Sequence, residues 1–78
     1  MRLIMYNILV VDDDKEIANA IEIYLSREGY NIIKAYDGEE AIKKVNENEI
    51  HLIILDIMMP KKDGLQTLEE IRKSKTIP

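Results

Sequence analysis

A three-layer α/β domain built on a parallel sheet is the fold class this sequence predicts. Two observations carry that prediction. The hydrophobic pattern switches repeatedly between short continuous apolar runs and apolar residues at helical spacing. The segments between successive runs are long enough to hold a helix, so the strands run parallel and the crossovers are right-handed.

The first strand is Ile8-Leu9-Val10-Val11, an unbroken apolar run that suits a strand buried on both faces. Asp12, Asp13 and Asp14 end it. A helix follows from Lys15 to Glu28, with Ile17, Ala20, Ile21, Tyr24 and Leu25 as its apolar positions. Asp14 reads as its N-cap, and Gly29 as the left-handed stop at its end. Asn31 to Tyr36 is the second strand. Asp37 with Glu40 three residues on has the form of a capping box, and Ala41, Ile42 and Val45 give a short helix that fades at Asn46-Glu47-Asn48. His51 to Asp56 contains the third strand, which reads as the most hydrophobic and most buried, with His51 exposed at its start. Asp63 with Gln66 opens a third helix, lined on one face by Leu65, Leu68 and Ile71. Tyr24, Tyr30 and Tyr36 read as residues at the rim of the core, and Ser74 to Pro78 as a turn into something further.

Composition narrows the function. With 78 residues the chain holds at most one domain, burying only roughly 60% of its unfolded surface. Such a core supplies about 3–5 kcal/mol. The absence of cysteine excludes disulfides and thiolate metal sites, and a single histidine argues against zinc. A net charge of −4 does not suit a phosphate backbone, so direct nucleic-acid binding by this segment is not expected. No apolar run spans a bilayer, and Met1–Met5 is too short for a signal peptide, so a cytoplasmic protein without membrane contact is the expectation. Met5 offers a second start, which makes Met1–Ile4 a dispensable extension.

The acidity is concentrated where it matters. Residues 1–40 hold nine of the fifteen acidic residues, and the tightest knot is Asp12-Asp13-Asp14. In open parallel sheets ligands bind beyond the carboxyl ends of the strands. If the first and third strands are neighbours, Asp12, Asp13 and Asp56 converge there and repel one another unless a cation neutralises them. Hard divalent cations take oxygen ligands, so a Mg2+ site is the physical reading. An aspartate oxygen also attacks phosphoryl groups, and Asp56 is the better nucleophile candidate because it stands alone at a strand end. Two rivals fit worse. Asp56 after four apolar residues has the look of a Walker B strand, but no phosphate-binding Gly-rich loop is present. Asp12-x-Asp14 suggests a haloacid dehalogenase-type phosphatase, whose pattern fails after Asp14.

Taken together, Ile8-Leu9-Val10-Val11-Asp12-Asp13, the Ala35-Tyr36-Asp37-Gly38-Glu39-Glu40-Ala41 stretch, Leu52-Ile53-Ile54-Leu55-Asp56, Met59-Pro60 and Asp63-Gly64 resemble the receiver domain of two-component response regulators. Each motif alone is weak; their order and spacing over essentially the whole chain is specific. The resemblance implies a flavodoxin-like (CheY-like) sheet of order 2-1-3. It implies that Asp56 is the phosphoacceptor for a sensor histidine kinase and that the module is not an enzyme. Mg2+ would be held by Asp13 directly, by Asp12 through water, by Asp56 and by the backbone carbonyl of Met58, with Pro60 and Gly64 shaping the loop. The style is that of receivers carrying a winged-helix output domain, through which alone DNA would be contacted. Receivers have five βα units and this sequence supplies three, so residues 1–78 read as the N-terminal part of one receiver domain. The family's phosphate-binding Ser or Thr and Lys would lie beyond Pro78, and neither Thr67 nor Thr76 stands at a strand end to replace them. A third strand left at the sheet edge predicts self-association through that strand, as a homodimer or higher oligomer. The rival to phosphorelay signalling is a non-phosphorylated interaction module.

Overall fold

The computed structural model describes residues 5–56, 64–75 and 77–78. The chain runs β1 (Asn7–Val11), α1 (Lys15–Arg27), β2 (Asn31–Ala35), α2 (Gly38–Glu47), β3 (Leu52–Leu55) and α3 (Gly64–Ser74). The strands form one parallel sheet in the order β2-β1-β3, as anticipated. Of the readings made from the sequence, those on Met1–Ile4, Met58 to Asp63 and Thr76 fall outside the described residues.

β1 is the central strand and the one buried on both faces. Ile8 and Val10 pack with Ala18 of α1, and Leu9 and Val11 pack with Ala41 and Val45 of α2 and Ile71 of α3. The result is three layers, with α1 on one face and α2 and α3 on the other. The N-termini of the strands are tied laterally. The Asn31 amide donates to Asn7 Oδ1 at 2.9 Å, the Asn7 amide donates to the Glu49 carbonyl at 2.7 Å, and the Asn7 backbone N–H donates to His51 Nδ1 at 2.9 Å.

The caps are those the sequence indicates. Asp14 Oδ1 accepts from the N–H groups of Glu16 and Ile17, and Gly29 takes φ 93° just past the end of α1. Asp37 Oδ1 accepts from Glu40 N–H at 2.8 Å. The return bond of this capping box lands one residue early: Tyr36 N–H donates to Glu40 Oε1 at 2.6 Å.

Four expectations are corrected. β3 is not the most buried strand: Leu52 and Ile54 face the α1 side, where no helix among the described residues covers them, whereas β1 is buried from Ile8 to Val11. The buried contact of α1 is Ala18, while Ile17 and Tyr24 are exposed; the small residue brings the helix close to the sheet, and Tyr24 is therefore no rim residue. In α3 it is Thr67 and Ile71 that are buried, and Leu65 points outward. His51 is not a free surface residue but a half-buried tie, bonded to Asn7, 3.3 Å from Glu49 Oε1, and edge-on to the Tyr6 ring.

Across the β2 edge, Lys34 Nζ meets Glu22 Oε1 at 2.8 Å and Asn19 Oδ1 at 2.9 Å. The Glu22 carboxylate raises the Lys34 ammonium pKa above its ordinary value. The pair is open to solvent and adds little to stability. The core carries the fold. Replacing the fully buried Leu9 with alanine is expected to cost about 2–5 kcal/mol, comparable with all that a core of this size supplies. Urea denaturation of Leu9→Ala should show no cooperative transition or one shifted far down, and a midpoint close to that of the parent would contradict the central role of β1.

Candidate functional site

The site is assembled by the backbone before any side chain enters. Val11 pairs with Ala35 on one side and Leu55 on the other. One residue further on, Asp12 N–H donates to the Ala35 carbonyl at 3.1 Å, and Asp56 N–H donates to the Val11 carbonyl at 2.9 Å. The sheet register therefore places the first residue after β1 beside the first residue after β3, about 4.8 Å apart as neighbouring strands require. Both of these residues are aspartates.

Carboxylate oxygens of Asp12, Asp13 and Asp56 lie within 4.8 Å of one another. Asp12 and Asp56 are half-buried and Asp13 is exposed. Asp12 has a second task, since its Oδ1 accepts from Asp14 N–H at 2.9 Å. This bond tightens the turn between β1 and α1. Asp14 itself faces away and is spent on the helix cap, as its spacing indicated. All three acids singled out in the sequence are thus brought together, and among the described residues they are the one acidic or histidine-containing group of three or more that converges this way. The carbonyl of Met58 lies outside the described residues.

The donor set suits a small hard cation. It is all oxygen and anionic, with neither sulfur nor nitrogen. An octahedral Mg2+ at about 2.1 Å from each ligand places ligand oxygens about 3 Å apart when adjacent and about 4 Å apart when opposite. The oxygens of Asp12, Asp13 and Asp56, within 4.8 Å of one another, are close enough to face one such ion. Thr67, weighed from the sequence, is buried in α3 and is not part of the acidic group.

Comparison with known proteins gives a consistent picture. The family described as response regulator receiver domain matches residues 8–78. Response regulator RR06 of Streptococcus pneumoniae serotype 2 (strain D39 / NCTC 7466) is 46% identical over 72 residues, which is 92% of this chain and 33% of the relative. The crystal structure of response regulator TrrA from Thermotoga maritima in complex with Mg2+–BeF superposes with a TM-score of 0.86 at 48% identity, covering 91% of this chain and 62% of TrrA. TrrA in complex with the histidine kinase ThkA gives a TM-score of 0.85, again at 48% identity, over 91% of this chain and 61% of that one. The chain spans about a third of the length of the curated relatives it matches. Among the described residues no helix is long and apolar enough to cross a membrane.

Three anionic side chains in one group repel. Near the surface, two charges at this separation cost about 1 kcal/mol in bulk water and more where water is excluded. In metal-free buffer Asp13→Asn is expected to raise the melting temperature by several degrees. Calorimetry in the presence of a chelator checks this, and a lower melting temperature would mean that Asp13 supports the fold rather than straining it.

Proposed function

This chain belongs to the response regulator receiver family, and from that premise we propose that it serves as a Mg2+-dependent aspartyl phosphoacceptor in two-component signalling. The observation that carries the reading is the convergence of Asp12, Asp13 and Asp56 at adjacent strand ends. We assign residues 1–78 to the N-terminal part of a single receiver domain, supported by the match over residues 8–78 and by coverage of 62% of TrrA.

Asp56 is the nucleophile. One carboxylate oxygen attacks the phosphorus of a phosphohistidine, the P–N bond breaks, and an aspartyl phosphate forms while the imidazole nitrogen leaves with the bonding pair. Asp13 and Asp12, with Asp56 and the backbone carbonyl of Met58, are the ligands for Mg2+. Bound there, the ion would neutralise charge on the transferring phosphoryl oxygens. Asp12 also holds the turn that fixes Asp13, through its bond to Asp14 N–H. The phosphodonor partner is a sensor histidine kinase, a reading supported by the complex of TrrA with ThkA. The module acts as a signalling acceptor and not as a turnover catalyst. It resides in the cytoplasm, and DNA is reached through other parts of the longer protein, in keeping with relatives named as transcriptional regulatory proteins.

A companion reading is self-association through β3, favoured by the exposure of Leu52 and Ile54. It is compatible with phosphotransfer and also stands without it.

Incubation with a small-molecule phosphodonor and Mg2+, followed by intact mass measurement, tests the main reading. A single phosphoryl adduct is expected, absent in Asp56→Ala. No adduct would favour a pure interaction module, and multiple turnover of phosphate esters would favour a phosphatase. Mg2+ alone is expected to raise the melting temperature, with about 2.7 kcal/mol of stabilisation at a hundredfold excess over its Kd. Thermal scans of Asp13→Asn should show that gain lost, and an unchanged Mg2+ response would remove Asp13 from the ligand set.

A further inference from the structure

The acidic group has a cation for a close sequence neighbour, and the fold keeps that cation elsewhere. Lys15 opens α1, two residues after Asp13 and three after Asp12. Its flexible four-carbon stem lets the ammonium take several positions around the tip of β1. In the structure Nζ stands over the Tyr36 ring, 5.1 Å from the centroid. Tyr36 is the first residue after β2. The bond from Asp12 N–H to the Ala35 carbonyl carries the β1–β2 ladder past its last pair, so Tyr36 lies beside Asp12 on one side. Asp56 lies beside Asp12 on the other, at the end of β3. The acids therefore gather where β1 meets β3, and Lys15 is drawn toward β2.

The Tyr36 ring is held from several directions. Its backbone N–H donates to Glu40 Oε1 at 2.6 Å, and its side chain packs on the cluster of Ile8, Val10 and Ala18. Lys34, anchored on Glu22 and Asn19, stands near its hydroxyl. The Lys34 pKa is raised chiefly by Glu22 and, to a smaller extent, by Tyr36. A ring fixed in this way offers one face to Lys15. An ammonium over an aromatic face at an exposed site gains about as much as it does in an exposed ion pair. The ring is therefore able to compete with the nearby carboxylates for Lys15.

We propose that Tyr36 is a positioning residue for the Mg2+ site: it holds Lys15 on the β2 side and so keeps the ammonium out of the space between Asp12, Asp13 and Asp56. This role rests on the phosphoacceptor reading and deepens it. An ammonium lodged among the three carboxylates would itself relieve their repulsion. Mg2+ would then have to displace it before binding. Parked on Tyr36, Lys15 leaves the carboxylates to the metal.

Mg2+ titration of the 78-residue chain, followed by backbone amide chemical shifts, tests this role. Tyr36→Leu keeps an apolar side chain on the Ala18 cluster and removes the ring. It is expected to weaken Mg2+ binding about two- to fivefold, the range an exposed cation–π contact represents. Tyr36→Phe, which keeps the ring face, should bind as the parent does. In a Lys15→Met background the change Tyr36→Leu should leave Mg2+ affinity unaltered. The ε-methylene protons of Lys15 give a readout that needs no metal. Ring current should shift them upfield in the parent and in Tyr36→Phe, and the shift should vanish in Tyr36→Leu. Parental Mg2+ affinity in Tyr36→Leu, or an equal loss with Lys15→Met present, overturns the positioning role while the phosphoacceptor reading stands. A parent spectrum without the upfield shift does so as well. A parent chain that binds no Mg2+ overturns both.

Discussion

The parallel pairing of β1 with β3 is the constraint on which the site depends. Its last rung, from Asp56 N–H to the Val11 carbonyl, fixes the first residue beyond one strand against the first residue beyond the other. No side chain has to search for its partner. Once Val11 lies opposite Leu55, two carboxylates follow at adjacent strand ends, and the turn bond from Asp14 N–H to Asp12 holds Asp13 close by. A slip of one residue in this register would turn Leu9 and Ile53 to the wrong faces and separate the acids as well. The strand pairing that builds the sheet therefore also brings the three carboxylates together.

What was legible in the sequence and what was not divides along one physical line. Local signals read correctly. The caps at Asp14 and Asp37, the positive-φ stop at Gly29 and the apolar run of β1 depend on a few neighbouring residues, and all appear where the spacing places them. The acidic group was also legible, because strand ends in a parallel sheet share one edge of the fold. The readings that failed needed knowledge of which neighbour covers which face. Leu52 and Ile54 are as apolar as Ile8 and Val10, yet they differ in burial because α1 lies over β1 and not over β3. Ala18 carries little hydrophobic signal in the sequence because its side chain is a single methyl group, although its size is what lets α1 approach the sheet. His51 looked like a surface residue because nothing local announces that its Nδ1 will accept an N–H from a residue 44 positions away.

The placement of β3 has two consequences that pull in different directions. Its position beside β1 delivers Asp56 to the acidic group. The same position, at the edge and beyond the reach of α1, leaves half of its apolar surface open. A longer helix α1 could not repair this, since its axis is set by Ala18 over β1 and by the Lys34–Glu22 pair over β2. Among the described residues no helix covers that face of β3.

Energetics tie the acidic group to the fold as a whole. A core of this size contributes about 3–5 kcal/mol, and each pair of uncompensated carboxylates at this separation subtracts about 1 kcal/mol or more. Repulsion among the carboxylates at the tip of β1 acts against the core beneath it. Neutralising the group would relieve that repulsion at residues whose backbone N–H groups are bonded to the sheet itself.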